Sequence, residues 1–167
     1  MSVVLAGALD GMPAVALFLL VLGGTMIPRA IGAHVALDGA FCVTILGAAW
    51  CAQLGLYQQV AWLDLVVHTV ATGATAALGY LVLLRLRLTT AEDRPRTAAL
   101  VTIGLGVVLA LVWELLELAG HTFLDDGIFV APVDTAGDLA AALLGSVVAA
   151  AVVARRVARG PHRGAAA

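Results

Sequence analysis

Three short stretches of the chain set acids and histidines at helical spacing. In "LDLVVHT" Asp64 and His68 stand at i and i+4; in "WELLELAGH" Glu114, Glu117 and His121 stand at i, i+3 and i+7; in "VDTAGDL" Asp134 and Asp138 repeat i, i+4. On a helix each set projects from one face. Carboxylates together with imidazoles are the ligand set of zinc, manganese or iron ions, and stripes of them on facing helices resemble the way di-metal sites are built in soluble four-helix bundles. Glu-x-x-Glu followed by His differs from the Glu-x-x-His motif of those bundles, so the likeness is one of architecture.

The segments that carry these residues are otherwise close to hydrocarbon. The 167-residue chain is 62% hydrophobic and 12% charged, with a mean hydropathy of +1.05, well beyond the range of a soluble domain. It reads as an integral membrane protein. Its uncharged runs accommodate five spans of about 20 residues each, near 11–28, 32–57, 61–84, 97–121 and 135–155. These runs are too long, too rich in Ala and Leu and too free of period-2 alternation to be strands. The expected fold is all-α: a polytopic bundle of five transmembrane helices forming one domain over residues 1–157. An Arg-, Gly- and Ala-rich tail over 158–167 is expected to be disordered and cytoplasmic. No Lys or Arg precedes the first hydrophobic run, and Asp10, Gly11 and Pro13 interrupt its start, so it reads as the first helix and not as a cleaved signal peptide.

Orientation follows from the basic residues, all nine of which are Arg. Arg29 separates helices 1 and 2, Arg85, Arg87, Arg94 and Arg96 separate helices 3 and 4, and Arg155, Arg156, Arg159 and Arg163 follow helix 5. With five spans these groups fall on one side, and the positive-inside rule makes that side the cytoplasm. The N-terminus is then outside and the C-terminus inside, in the inner (plasma) membrane. The arginines are accounted for by topology and anionic headgroups, and no nucleic-acid partner is implied.

The same orientation gathers the acidic motifs in one layer. At about 1.5 Å per residue, Asp64, Glu117 and Asp138 come to one level roughly 6 Å below the outer boundary, with Asp134 at the rim and His68 and Glu114 one turn deeper. An ionisable group at membrane depth costs at least about 2.5–3.5 kcal/mol on insertion scales, which makes it a site hypothesis by default. No Arg or Lys lies in the outer half, so the carboxylates cannot all be ionised and unpaired. Three arrangements are open. One is a divalent metal ion of the Zn, Mn or Fe type held by Asp64, His68, Glu114, Glu117, His121, Asp134 and Asp138. The others are a proton-sharing carboxylate cluster and a set of hydrogen bonds that fixes helix packing.

The remaining polar residues read more plainly. His34 and Asp38 form an i, i+4 pair at the inner end of helix 2, suited to a structural contact or to part of a proton path. Asp10 reads as a solvated cap, and Asp125 and Asp126 in "LDDGIF" as turn residues. Trp113 is placed to pack over the site, while Trp50 and Trp62 fit the aromatic belt. Cys42 and Cys51 share one helix, are too far apart to bridge each other and read as small buried hydrophobes. Small residues crowd "TVATGATAALG", "TIGLG" and "AGDLAAALLGS", which lets helix backbones approach closely in lipid.

In the order "WLDLVVH", "WELLE", "VDTAGDLAAALLG", the chain from about residue 40 to 150 resembles the YjdF-like family of small bacterial inner-membrane proteins, itself similar in outline to VanZ-like proteins. The resemblance places Asp64, His68, Glu114, Glu117, Asp134, Thr135 and Asp138 at the family's motif positions. The chain departs from the family before the paired aspartates, where "LDDGIFVAP" replaces a segment with Gly, Gln and Trp. The resemblance implies a membrane location and a set of motif residues, and no reaction.

The functional expectation is a metal-dependent hydrolase or transferase acting on a lipid or lipid-linked substrate near the outer leaflet, with Glu114 or Glu117 as general base. No Ser, Cys or Lys in the layer offers a covalent nucleophile, and an anionic phosphate would lack a basic partner. Cation or proton transport requires a polar path from the layer to His34 and Asp38. A structural or accessory subunit would use the layer for assembly. Expected partners are membrane lipid, the lipid-linked substrate and, through the small-residue faces, a second copy of the chain.

Overall fold

The computed structural model describes residues 1–89, 94–125 and 127–159, apart from the side chains of Ala6, Ala8, Leu9, Asp10 and Ala61. The expectations for Asp126 and the Asp10 side chain, and for residues 160–167 of the tail, fall outside the described residues. The chain is all-helical there, in the order α1 (Ser2–Ala30), α2 (Val35–Gln53), α3 (Leu56–Gln59), α4 (Ala61–Arg85), α5 (Pro95–Phe123) and α6 (Pro132–Arg159). Five of these, all but α3, are long and apolar enough to cross a membrane. Leu20, Leu100, Val108, Leu115, Leu144 and Val148 are among many large apolar side chains left exposed, a surface that matches lipid and would aggregate in water.

The boundaries differ from expectation where local chemistry intervenes. Helix 1 starts earlier than residue 11, because helical hydrogen bonding continues back to Ser2 across Gly11, which takes a φ of +72°. That left-handed residue bends α1 sharply enough for Gly7 to face the Val15 side chain and for Val3 to pack against the cluster of Ala14, Phe18 and Ala49. The second span stops at Gln53, short of the expected residue 57, where Gly55 adopts φ +61° and the chain turns into α3. The last helix runs through Arg159, so Ala158 and Arg159 belong to α6 and not to a disordered tail.

The helices alternate in direction, and α6 is the hub, packed along both α4 and α5. The contact is made backbone to backbone. A Cβ on Gly145 would run into the Thr69 carbonyl, one on Gly73 would lie 2.8 Å from the Gly145 carbonyl, and one on Gly106 would run into the Ser146 hydroxyl. Small residues on three helices thus interlock, which is how apolar helices gain dispersion contact where lipid removes the hydrophobic drive. The hydroxyls buried there are satisfied within their own helices: Thr102 donates to the Ala98 carbonyl at 2.8 Å and Ser146 to the Ala142 carbonyl at 2.7 Å.

Helices α1 and α2 form a second pair, joined to the hub through α4. Phe18 and Trp50 pack with ring centroids 4.9 Å apart. At the turn between them Gly32 sits at φ +64° with the Arg85 guanidinium beside it, so Arg29 and Arg85 share one end of the bundle. Helix direction brings Arg94, Arg96, Arg155, Arg156 and Arg159 to the same end. The acidic stretches lie at the other.

Candidate functional site

At that other end α4 begins, α5 finishes and α6 begins. Asp64 occupies the first turn of α4, and His68 follows one turn later, with its Nε2 3.4 Å from Asp64 Oδ1. Asp138 approaches the same imidazole nitrogen from α6, its Oδ1 3.9 Å away. One donor atom from each of Asp64, His68 and Asp138 lies within 4.8 Å of the other two, and the same is true of His68, Glu114 and Glu117. His68 is common to both groups, so three helices converge on one imidazole.

The crossing of α4 and α6 at Gly73 and Gly145 sets this convergence. Along α4, Gly73 lies about 8 Å beyond His68, and along α6, Gly145 lies about 10 Å beyond Asp138. With the two backbones in contact there, the side chains one to two turns away face each other across a short gap. Asp138 is 3% exposed, yet its Oδ1 makes no hydrogen bond. A carboxylate oxygen so placed has lost water and gained no donor in return, which is costly unless a positive partner is supplied.

The structure sets His121 and Asp134 apart from the two convergent groups. His121 Nδ1 is 2.7 Å from the Ile128 carbonyl oxygen, which requires a proton on Nδ1 and ties the α5–α6 loop to the end of α5. Asp134 lies in the first turn of α6 and lines a cavity of about 360 Å³ together with Asp64, Asp138, Leu65, Phe129 and Val133. Asp125 closes a turn by accepting from the Gly127 N–H at 2.9 Å, as its position in "LDDGIF" predicts.

Two side chains near the layer carry roles that spacing alone did not reveal. The Trp113 side chain lies beside the Glu117 carboxylate one turn away. Tyr57, in α3, donates its hydroxyl to the Ala48 carbonyl at 3.1 Å. Burial first, and then the negative charge of Cys51, Asp64, Glu117 and Asp138, push its phenol well above the usual tyrosine range. Its i, i+4 spacing could have flagged Trp113; nothing periodic marks Tyr57, whose place depends on the turn at Gly55.

At the opposite end, His34 and Asp38 do not pair with each other as sequence spacing allowed. His34 is the N-cap of α2, its Nδ1 accepting from the Ala36 N–H at 3.2 Å. Asp38 instead meets the Arg29 guanidinium at 3.3 Å and accepts from the Cys42 thiol at 3.1 Å. Both residues are accounted for by the α1–α2 corner.

The family model described as predicted membrane protein (DUF2238) matches residues 7–159. The chain belongs to this family. The match takes in every residue of the acidic layer and agrees with the YjdF-like motifs read from the sequence. No curated protein matches the chain, and no solved structure does. Membership thus identifies a membrane protein; the five apolar helices and the acid and histidine cluster are features of the structure, and the chemistry of that cluster has to be argued from its geometry.

Proposed function

We propose that Asp64, His68, Asp138, Glu114 and Glu117 hold a divalent metal ion of the Zn, Mn or Fe type. On this reading the protein is a metal-dependent hydrolase or transferase acting on a lipid or lipid-linked substrate at the outer face of the inner membrane. The supporting observation is the buried Asp138 oxygen without a donor, in one of two groups of ligand-type atoms that share His68 and together draw on three helices. Outward placement rests on the arginines at the opposite end and the positive-inside rule.

A bound ion would supply Lewis acidity and a water acidic enough to attack near neutral pH. The chain's own residues do the rest. Asp64, His68 and Asp138 fix the centre, and Glu117 or Glu114 takes the proton of the attacking water or acceptor hydroxyl. The attacking oxygen bonds to the acyl carbon or phosphorus of the substrate, the bond to the leaving alkoxide breaks, and the proton passes to that alkoxide.

Transport is the weaker reading. Among the described residues, α4, α5 and α6 pack closely below the layer at Gly73 with Gly145 and at Gly106 with Ser146 and Ala76. Thr102 and Ser146 there turn their hydroxyls to their own helices, and His34 and Asp38 are engaged at the far corner. The test of the enzymatic reading is mass spectrometry of membrane lipids incubated with the purified, metal-loaded protein in H₂¹⁸O. Hydrolysis puts the label into a product, and transfer redistributes groups without label; both should vanish in Glu117→Gln. Unchanged lipids with a loaded protein would remove the enzymatic reading and favour an accessory subunit.

A further inference from the structure

Helices α1, α2 and α4 are each followed by a residue in the left-handed conformation. It is Gly32 at φ +64° after α1 and Gly55 at φ +61° after α2, but Arg87 at φ +59° after α4. The turn at Arg87 is closed by two backbone bonds, Leu88 N–H to the Leu83 carbonyl at 2.9 Å and Arg87 N–H to the Leu84 carbonyl at 3.2 Å. Glycine is the ordinary residue at such a position, because a Cβ there crowds the backbone. The positive-inside rule asks for arginine at this end of the bundle, and not in this conformation. None of the ion pairs or hydrogen bonds among the described residues uses the Arg87 guanidinium. Its neighbours Leu86 and Leu88 are 62% and 71% exposed, just past Arg85, where the α4 span ends; the residue at Leu88 more often folds back onto its helix.

We propose that the turn at the end of α4 is a docking site for an anionic phospholipid, with the lipid phosphate on Arg87 and the acyl chains against Leu86 and Leu88. Charge favours this occupant. Leu84 of α4, Ala98 of α5 and Val157 of α6 belong to one packed cluster, so three helix ends meet here and bring the exposed Arg94, Arg96, Arg155, Arg156 and Arg159 to the same level. Asp38 is taken up by Arg29, and the sequence adds Glu92 and Asp93 in the α4–α5 loop, too few acids to balance these arginines. An anionic headgroup relieves their mutual repulsion, and a guanidinium takes a phosphate through two parallel hydrogen bonds. A soluble phosphate would meet that need but leave Leu86 and Leu88 in water, and a zwitterionic headgroup would bring its own cation against the arginines. No residue of the acidic layer takes part, so the proposal stands whether or not that layer holds a metal.

Protein in micelles of a neutral detergent is titrated with dioleoyl phosphatidylglycerol or dioleoyl phosphatidylcholine, bound lipid is counted by native mass spectrometry, and inorganic phosphate at the lipid's concentration serves as competitor. Phosphatidylglycerol is expected to bind about tenfold tighter than phosphatidylcholine, as charge-assisted hydrogen bonds to one phosphate require, and to withstand the competitor. Arg87→Gly should lose most of that preference, yet unfold no earlier than wild type when anionic lipid is absent, because Gly suits the left-handed turn. Equal binding of the two lipids, or an unchanged preference in Arg87→Gly, would overturn the assignment. Displacement of phosphatidylglycerol by inorganic phosphate would overturn it in favour of a soluble anion. Earlier unfolding of Arg87→Gly without anionic lipid would also overturn it, since the guanidinium would then serve the fold.

Discussion

His68 is the residue on which the two candidate ligand groups depend, since it is the one side chain common to both. Its partners were legible in the sequence because a helix repeats its faces every three to four residues. Asp64 and His68, or Glu114 and Glu117, have to share a face once the segment is helical. Spacing does not report what happens at a helix end, where direction depends on the turn beyond. Spacing therefore groups His121, which bonds to Ile128, and Asp134, which lines the cavity, with the rest, and carries no sign of Tyr57. Tyr57 gives a residue-scale prediction. Its phenol resists ionisation in the folded protein, whereas in the unfolded chain it titrates near its ordinary pKa of about 10. The folded state is therefore favoured by this group below that value and progressively loses the advantage above it. Thermal unfolding of Tyr57→Phe should show a shallower loss of stability than wild type between about pH 10 and pH 11; parallel curves would show that the buried phenol is not coupled to folding.

At the scale of elements, five spans were legible from length and hydropathy, and the small-residue stretches predicted close helix contact. The pairing that matters, Gly145 against Thr69 and Gly73, is a tertiary register and cannot be read from one segment. Gly145→Ala puts a methyl group where the Thr69 carbonyl stands. Over-packing of this kind costs about 1–3 kcal/mol, so the variant should unfold at lower temperature and take up less metal, because α4 and α6 separate. Gly104, whose Cβ position is open, is the control: Gly104→Ala should retain both stability and metal. The α5–α6 loop makes a second prediction. His121→Ala removes the bond to Ile128, and amide hydrogen exchange over residues 127–131 should rise severalfold while metal content is unchanged. Loss of metal in this variant would return His121 to the ligand set.

For the whole molecule, polarity is the organising feature: arginines at one end, acids and imidazole at the other, and a glycine-lined crossing between them. The charge separation was visible in the sequence because the positive-inside rule uses arginine alone, and the acidic layer then fell together without being assumed. Side-specific labelling tests the orientation. In a background with Cys42 and Cys51 replaced by Ser, Asp125→Cys should react with a membrane-impermeant thiol reagent added outside intact cells, and Arg159→Cys only after permeabilisation. The reverse pattern would put the layer on the cytoplasmic side.

Metal content of the purified protein tests the central claim most directly. Wild type, His68→Ala, Asp138→Asn and the control Asp125→Asn, whose carboxylate serves only a turn, are chelated mildly, exposed to Zn²⁺ or Mn²⁺, washed and measured by elemental analysis. The account predicts near-stoichiometric metal in wild type and Asp125→Asn, and at least about tenfold weaker retention when either His68 or Asp138 is changed. A folded wild type that retains no metal, or His68→Ala and Asp138→Asn variants that retain as much as wild type, would contradict it.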